Sequence, residues 1–302
     1  MDPDTLNISN EWNPLQKVVV GHAQSMGKTP NLESAFDPTS KWHLSRGTYP
    51  NPQEVSDQLD GLAKTLENQG VQVLRPTDLE GVEQIFARDV GLVIDRTFIR
   101  SRTIDERSAE WEGVAPLLQG VEWIELPEGI HLEGGDTVVL DDAIALGVTR
   151  NPAWESLQVS RTNPPAEAFL QDLFPHRKVL GVELIKDDTD PFKCALHLDC
   201  AYMPLGLGHA IACPEFFVNQ SEFEDLMSRH TGVIELTVEE AALLQSNLLH
   251  LAPDTLLIDP GFDRVSKALI ERGYNLIECP MDKVGRMGGL FRCTTLPLRR
   301  SL

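Results

Sequence analysis

The 302-residue sequence predicts an α/β fold of about five pseudo-symmetric modules in a single domain spanning residues 1–302. Three observations carry this expectation. A unit made of a polar residue, a short β-branched run, a tight turn and a second apolar run begins at Asp89, Asp136 and Asp199, and more loosely at Asn247, so that starts are 47, 63 and 48 residues apart. Periods near 50 residues mark modular, often radial, architectures. Segments with helical spacing lie between the strand pairs, which strand-only propellers lack. No Ser/Gly linker or charge block divides the chain.

The elements follow in order. LQKVVVG, residues 15–21, reads as a strand opening one module. Residues 52–70 place Val55, Leu59, Leu62 and Leu66 on one helical face, with Pro52 near the start and Gly70 as a stop, and VQVLRP follows as a strand. Asp89 heads the runs VGLVID and RTFIRS, and Asp136 heads TVVLDD and AIALGV. PPAEAFLQDLF, residues 164–174, reads as a helix before the strand RKVLGVELI. Asp199 heads CAYMPLGLG and HAIACP, and Asn247 heads LLHLAPD and TLLIDP. GFDRVSKALIERG, residues 261–273, is a helix before the strand YNLIEC. Each module is thus two short strands, a helix and a further strand.

Composition narrows the function. Hydrophobic residues at 41% and charged residues at 24% are ordinary globular values and exclude a disordered or collagen-like chain. Twenty-six Lys and Arg against 46 Asp and Glu give a net charge of −20, which repels phosphate backbones and favours cationic ligands. No nucleic-acid partner is expected. The N-terminal residues show no basic segment followed by an apolar stretch, and no run of about 18 apolar residues predicts a membrane span. Five cysteines, at 194, 200, 213, 279 and 293, make a poor disulfide framework, so the expectation is a cytoplasmic enzyme with free thiols. Asn7 and Asn219 then carry no glycan.

One tempting motif fails. The segment from Lys17 to Pro30 offers a strand, Gly21 and then Gly27-Lys28-Thr29, but five residues separate Gly21 from Gly27 where a phosphate loop has four. Pro30 also disfavours a helix starting at Thr29.

Acid, histidine and glycine concentrate in His131-Leu-Glu133-Gly-Gly-Asp136 and in His197-Leu-Asp199-Cys200. A carboxylate facing an imidazole can hold the ring and raise its basicity. The Gly-Gly step lets backbone and ligand approach closely. Pseudo-rotation would bring both segments, at equivalent points of the repeat, to one centre. Near the C-terminus, Cys293 sits behind Gly288-Gly289 among polar and basic residues, where a thiolate nucleophile is favoured. Cys213 and Cys279 lie beside apolar residues and read as small buried hydrophobes, whereas Cys200 adjoins Asp199.

Together these segments resemble the guanidino-group-modifying superfamily of arginine deiminases, dimethylarginine hydrolases and amidinotransferases. The resemblance rests on Phe86-Ala-Arg-Asp89, Glu133-Gly-Gly-Asp136, His197-Leu-Asp199 and Gly288-Gly289-x-x-x-Cys293 followed by Pro297-Leu-Arg-Arg. It implies a five-module α/β propeller of the pentein type. It also implies Cys293 as nucleophile, His197 as acid and base, Glu133 as the partner orienting His197, and Asp89 and Asp199 as carboxylates gripping a guanidinium, with Asp136 and Arg292 completing the substrate-binding set. Paired carboxylates suit a planar cation with paired N–H donors, since they can hold its carbon over a sulfur.

The expected substrate is a small cationic guanidino compound such as arginine, turned over through a thiouronium intermediate without cofactor or metal; the oligomeric state is left open. Branch signals are mixed. Glu133-Gly-Gly-Asp136 and Thr-Leu-Pro-Leu after Cys293 are similar to the deiminase branch, whereas Glu11-Trp-Asn-Pro-Leu and Arg299-Arg300 are similar to the amidinotransferases. Amidino transfer to an amine acceptor is placed ahead of hydrolysis. The competing readings are a zinc hydrolase using His131, Glu133, His197, Asp199 and a cysteine, against which no His-x-His or Cys-x-x-Cys spacing occurs, and a non-catalytic binding domain. Loops such as 22–50, where the rest of a substrate would be read, carry no recognisable motif.

Overall fold

The architecture is taken from a computed structural model that describes residues 6–301; residues 1–5 and 302, the ends of the expected 1–302 domain, lie outside the described residues. The chain forms β1 (Leu15–Val20), α1 (Pro38–Ser45), α2 (Pro52–Asn68) and β2 (Gln72–Leu74), then β3 (Gly91–Ile94), β4 (Thr97–Arg100), α3 (Trp111–Val114) and β5 (Trp123–Glu125). Next come β6 (Thr137–Val139), β7 (Ala143–Val148), α4 (Pro165–Leu173) and β8 (Lys178–Glu183), then β9 (Tyr202–Pro204), β10 (His209–Ala212), α5 (Gln220–Met227) and β11 (Gly232–Glu235). The last part holds α6 (Val238–Ala242), β12 (Leu249–Ala252), β13 (Thr255–Ile258), α7 (Asp263–Ile270), β14 (Asn275–Glu278), α8 (Asp282–Gly285) and β15 (Thr295–Arg300).

Among the described residues these strands make five three-stranded sheets of one design. In β3-β4-β5, β6-β7-β8, β9-β10-β11 and β12-β13-β14 the first strand pairs antiparallel with the second, and the third runs parallel to the second after a helical crossover. An antiparallel pair needs only a tight turn, whereas a parallel return needs a crossover, which explains the recurring strand–turn–strand–helix–strand order. The fifth sheet corrects the expectation that residues 15–21 open a module. There β1 is the middle strand, parallel to β2, and its antiparallel partner is the C-terminal β15, so the two ends of the chain close one sheet.

The long helix α2 shows why the periodic reading holds. Asn51 caps it, accepting from Glu54 N–H while the Glu54 carboxylate accepts from Asn51 N–H, and Pro52 fits the first turn. Its Val55, Leu59, Leu62 and Leu66 are fully buried. Burying four such side chains contributes on the order of 1.5–3 kcal/mol each before entropy is subtracted. No helix among the described residues is long and apolar enough to cross a membrane.

The arrangement that positions the site lies just ahead of each first strand. Asp89, Asp136, Asp199, Asn247 and Cys293 each stand within three residues of the start of β3, β6, β9, β12 and β15 respectively. Tight turns over 87–90, 134–136 and 198–200 present the three aspartates. The repeat read from the sequence is therefore a repeat of polar side chains as well as of strands.

Candidate active site

His197 is 1% exposed, and its Nε2 lies 2.8 Å from Glu133 Oε2, while its Nδ1 lies 3.7 Å from Asp89 Oδ1. Burial works against a charged ring, but the carboxylates of Asp89, Asp136 and Glu133 outweigh it and hold the imidazole up at about 9. Glu133 is driven the other way. Burial opposes its charge, yet the Arg161 guanidinium and His197 keep its carboxyl well below the usual range. Arg161 Nη1 meets both Glu133 oxygens at 3.1 and 3.2 Å. The surrounding carboxylates thus favour the cationic ring, and Glu133 holds it through Nε2.

The Gly-Gly step makes room for this ring and for the neighbouring backbone. A Cβ on Gly135 would stand 2.6 Å from the His197 imidazole, and one on Gly134 would stand 2.1 Å from the Arg88 carbonyl. Neither position tolerates a side chain.

Cys293 is buried, with Sγ 3.8 Å from both Asp199 oxygens and 3.1 Å from Asn247 Nδ2. The Cys200 thiol, also beside Asp199, is pushed well up by its contact with Cys293, by burial and by that carboxylate. The Asp199 and Asp89 carboxylates are held by buried arginines. Arg292 Nη1 donates to Asp199 Oδ2 at 2.8 Å, and Arg107 Nη1 donates to Asp89 Oδ2 at 2.7 Å. Each aspartate therefore has one oxygen committed to the scaffold. Asp89 Oδ1 is buried without a hydrogen-bond partner, a cost the fold sustains at a place where a donor can enter.

Cys293, His197 and Asp89 line one cavity with Phe36, Asp37, Phe86, Arg107, Arg161, Leu196, Met287 and Gly288. Asp37, which caps α1 by accepting from Ser40 N–H at 2.8 Å, roofs the cavity and is buried, which raises its carboxyl. Gly288 has φ +92, and a Cβ there would stand 2.6 Å from Asp37 Oδ1. The segment 22–50, read from the sequence as a loop, holds α1 and supplies Phe36 and Asp37 to the cavity wall.

Asp136 and Arg292 stand behind this cavity. Asp136 Oδ1 accepts from Leu198 N–H at 3.0 Å, next to His197. Arg292 is fully buried and also meets Glu11 Oε1 at 2.8 Å. The residues sequence reasoning passed over are Glu11, Arg107, Arg161 and Asn247. Buried charge pairing has no local sequence signature, but Asn247 heads the fourth repeat and was visible there.

Two groups of donors lie close enough to share a metal: Asp89, Glu133 and His197, and Asp199, Cys200 and Cys293, each with atoms within 4.8 Å of one another. In both groups the carboxylates are already paired with guanidiniums. His131, named for the zinc reading, is exposed and belongs to neither group.

The family model of N,N-dimethylarginine dimethylhydrolase, eukaryotic type, matches residues 31–300. The uncharacterized protein YkgA of Bacillus subtilis is 26% identical over 294 residues, spanning 96% of this chain and 94% of its own. Inosamine-phosphate amidinotransferase 1 of Streptomyces griseus is 22% identical over 340 residues, spanning 98% of this chain and 97% of its own. A solved structure of inosamine-phosphate amidinotransferase from the same organism superposes with a TM-score of 0.78 at 19% identity over 99% of this chain and 98% of that one. The N-terminal domain of ArgZ, an arginine dihydrolase from cyanobacteria, gives a TM-score of 0.78 at 18% identity over 95% of this chain and 98% of its own. At these identities the structural likeness shows a shared fold.

Proposed function

We propose, from the premise that the chain belongs to the N,N-dimethylarginine dimethylhydrolase family, that it hydrolyses the guanidino group of arginine or an arginine-like small molecule with Cys293 as nucleophile. One observation carries the reading: the Cys293 thiol against Asp199 shares a cavity with Asp89 and with a His197 ring held by Glu133. The free Asp89 oxygen and the Asp199 carboxylate would receive the guanidinium N–H donors and hold its carbon over Sγ. Arg107 and Arg161, in the same wall, are spent on Asp89, Glu110 and Glu133, so they hold the site's carboxylates in place. Asp136 and Arg292 act through the backbone of Leu198 and through Asp199, so they position the binding groups.

The thiolate adds to the guanidino carbon and forms the C–S bond. The tetrahedral adduct collapses as the C–N bond breaks, and His197 gives its proton to the leaving amine. A thiouronium remains on Cys293. Water, deprotonated by the now neutral His197, adds to the same carbon; the C–S bond then breaks as the new hydroxyl loses its proton to solvent, releasing the ureido product and regenerating the thiolate. Neither half requires a metal or cofactor. In this reading residues 1–302 form one catalytic domain, and the five sheets stand round a common axis as a propeller with the five strand-leading residues at its centre.

Amidino transfer is the second reading, favoured by the amidinotransferase relative that spans 98% of the chain. It differs only in that an amine replaces water in the second half. Incubation with arginine or Nω,Nω-dimethylarginine, with and without glycine or lysine, separates the two by product mass. A ureido product formed without any acceptor supports hydrolysis. An amidino group found only on the acceptor replaces hydrolysis with transfer, and no consumption of any guanidino compound removes both.

A further inference from the structure

We infer that Asn247 is a further catalytic residue, whose side-chain amide donates a hydrogen bond to the Cys293 sulfur and sustains its thiolate. The inference rests on Cys293 being the nucleophile. The amide cannot present its oxygen to the sulfur, because Asn247 Oδ1 already accepts from two backbone N–H groups, Arg292 N at 2.9 Å and Cys293 N at 3.1 Å. Nδ2 is left facing Sγ at 3.1 Å, with a second, longer contact to the Asp199 carbonyl at 3.5 Å. One side chain thus fixes the backbone that carries the nucleophile and contacts the reacting atom.

The electrostatics give the contact its purpose. Asp199 stands 3.8 Å from Sγ and opposes a negative sulfur before the cationic substrate arrives. The other charged or titratable groups around Cys293 include the Cys200 thiol, Arg292, whose guanidinium is spent on Asp199 and Glu11, and the buried Arg88, whose backbone N–H donates to the Cys293 carbonyl and whose Nε faces the Arg292 carbonyl, together with His197, Asp89, Asp37, Arg107 and Arg161 across or around the cavity. Among the described hydrogen bonds, Asn247 supplies the direct N–H donor to this sulfur. A donor bonded to an ionised acceptor is stronger than one between neutral groups.

The surrounding chain is built to hold this amide. Leu244 adopts φ +61, a left-handed conformation rare for leucine and retained where surrounding structure enforces it. The turn it starts brings Asn247 N–H to the Leu244 carbonyl at 2.9 Å and Ser246 Oγ to the Asp199 carbonyl at 2.9 Å. Asn247 is buried with no exposed surface. It also occupies, ahead of β12, the place that Asp89, Asp136 and Asp199 occupy ahead of their own first strands. A neutral amide in a series of carboxylates suits the position next to a thiolate, where a fourth negative charge would repel it.

The test compares the wild-type chain with Asn247→Asp and Asn247→Ala, reading the rate of iodoacetamide alkylation of Cys293 against pH, with Cys293→Ser as the blank. Asn247→Asp keeps an acceptor for both backbone N–H groups but removes the donor and adds a negative charge beside the sulfur, whereas Asn247→Ala removes the donor without adding charge. The inference predicts alkylation at pH 7 slowed by about tenfold to a hundredfold, the loss of one hydrogen bond to a charged group, with the profile displaced to higher pH in both variants and kcat reduced in parallel. An unchanged alkylation profile in Asn247→Asp overturns it. If neither variant folds, the wild-type chain labelled with 15N-asparagine decides: the Asn247 side-chain amide signal must titrate with Cys293 and lose that titration in Cys293→Ser, and a signal indifferent to pH overturns the inference. Failure of the underlying reading looks different, because alkylation would then leave turnover intact.

Discussion

Replacing Glu133 with glutamine tests the proposal that His197 is the acid of the site. In the native chain His197 is raised from 6.5 to about 9 by Asp89, Asp136 and Glu133 acting against burial. A rise of that size favours the cationic ring by roughly 3 kcal/mol, at about 1.4 kcal/mol for each tenfold change in proton affinity. Glu133 makes the direct hydrogen bond at 2.8 Å and is one of three carboxylates that raise the ring, so removing its charge is expected to forfeit on the order of 1 kcal/mol. A proton-donating His197 gives an activity that declines as pH rises through its ionisation, so the alkaline limb should descend from near pH 9 by close to one unit or more. The assay is kcat against pH from 6 to 10 on the substrate identified by product mass. The substitution also strips Arg161 of its carboxylate, and an unpaired buried charge costs about 3–5 kcal/mol, so the rates are read well below the variant's own melting temperature. An alkaline limb unmoved in a folded Glu133→Gln protein would refute the reasoning.

Other outcomes follow from the same geometry. Cys293→Ser should abolish turnover while a guanidino compound still binds by calorimetry. Asp89→Asn and Asp199→Asn should each weaken that binding by one to about 3 kcal/mol, and normal affinity in both would misplace the guanidinium clamp. Arg292→Met leaves Glu11 and Asp199 buried without their shared cation, so denaturant unfolding should show a loss of about 3–5 kcal/mol. Gly135→Ala drives a methyl group toward the His197 ring and should lower kcat far more than KM; native kinetics would contradict the packing. Because the folded value of His197 is raised, its contribution to stability is complete below about pH 6.5 and is lost as pH climbs toward about 9. Urea midpoints across that window should show this loss in the wild-type chain and not in His197→Gln.

The parts legible in the sequence were those with a period or an ordered motif. Four of the five sheets were readable because a tight turn joins their antiparallel pair, and α2 was readable because Val55, Leu59, Leu62 and Leu66 repeat at helical spacing. The fifth sheet was misread because β1 and β15 meet across nearly the whole chain length, and no local pattern encodes a pairing at that distance. In the site, Asp89, Glu133, His197, Asp199 and Cys293 announced themselves as acids, imidazole and thiol in order. Their supports did not. Arg107 and Arg161 look like surface charges in the sequence, and only burial reveals that each anchors a carboxylate of the site. The covering residues were equally silent, since Phe36 and Asp37 reach the cavity from a stretch that follows no repeat.

The central claim, that a guanidino carbon becomes bonded to Cys293, is tested most directly by acid-quenching the enzyme during turnover of arginine or dimethylarginine and locating the adduct by peptide mass spectrometry. The account predicts a thiouronium-sized mass increment on the peptide containing Cys293, absent from Cys293→Ser and diminished when turnover is allowed to finish. Turnover with no adduct on Cys293 at any quench time, accompanied by an adduct on another residue or by full activity of Cys293→Ser, would contradict it.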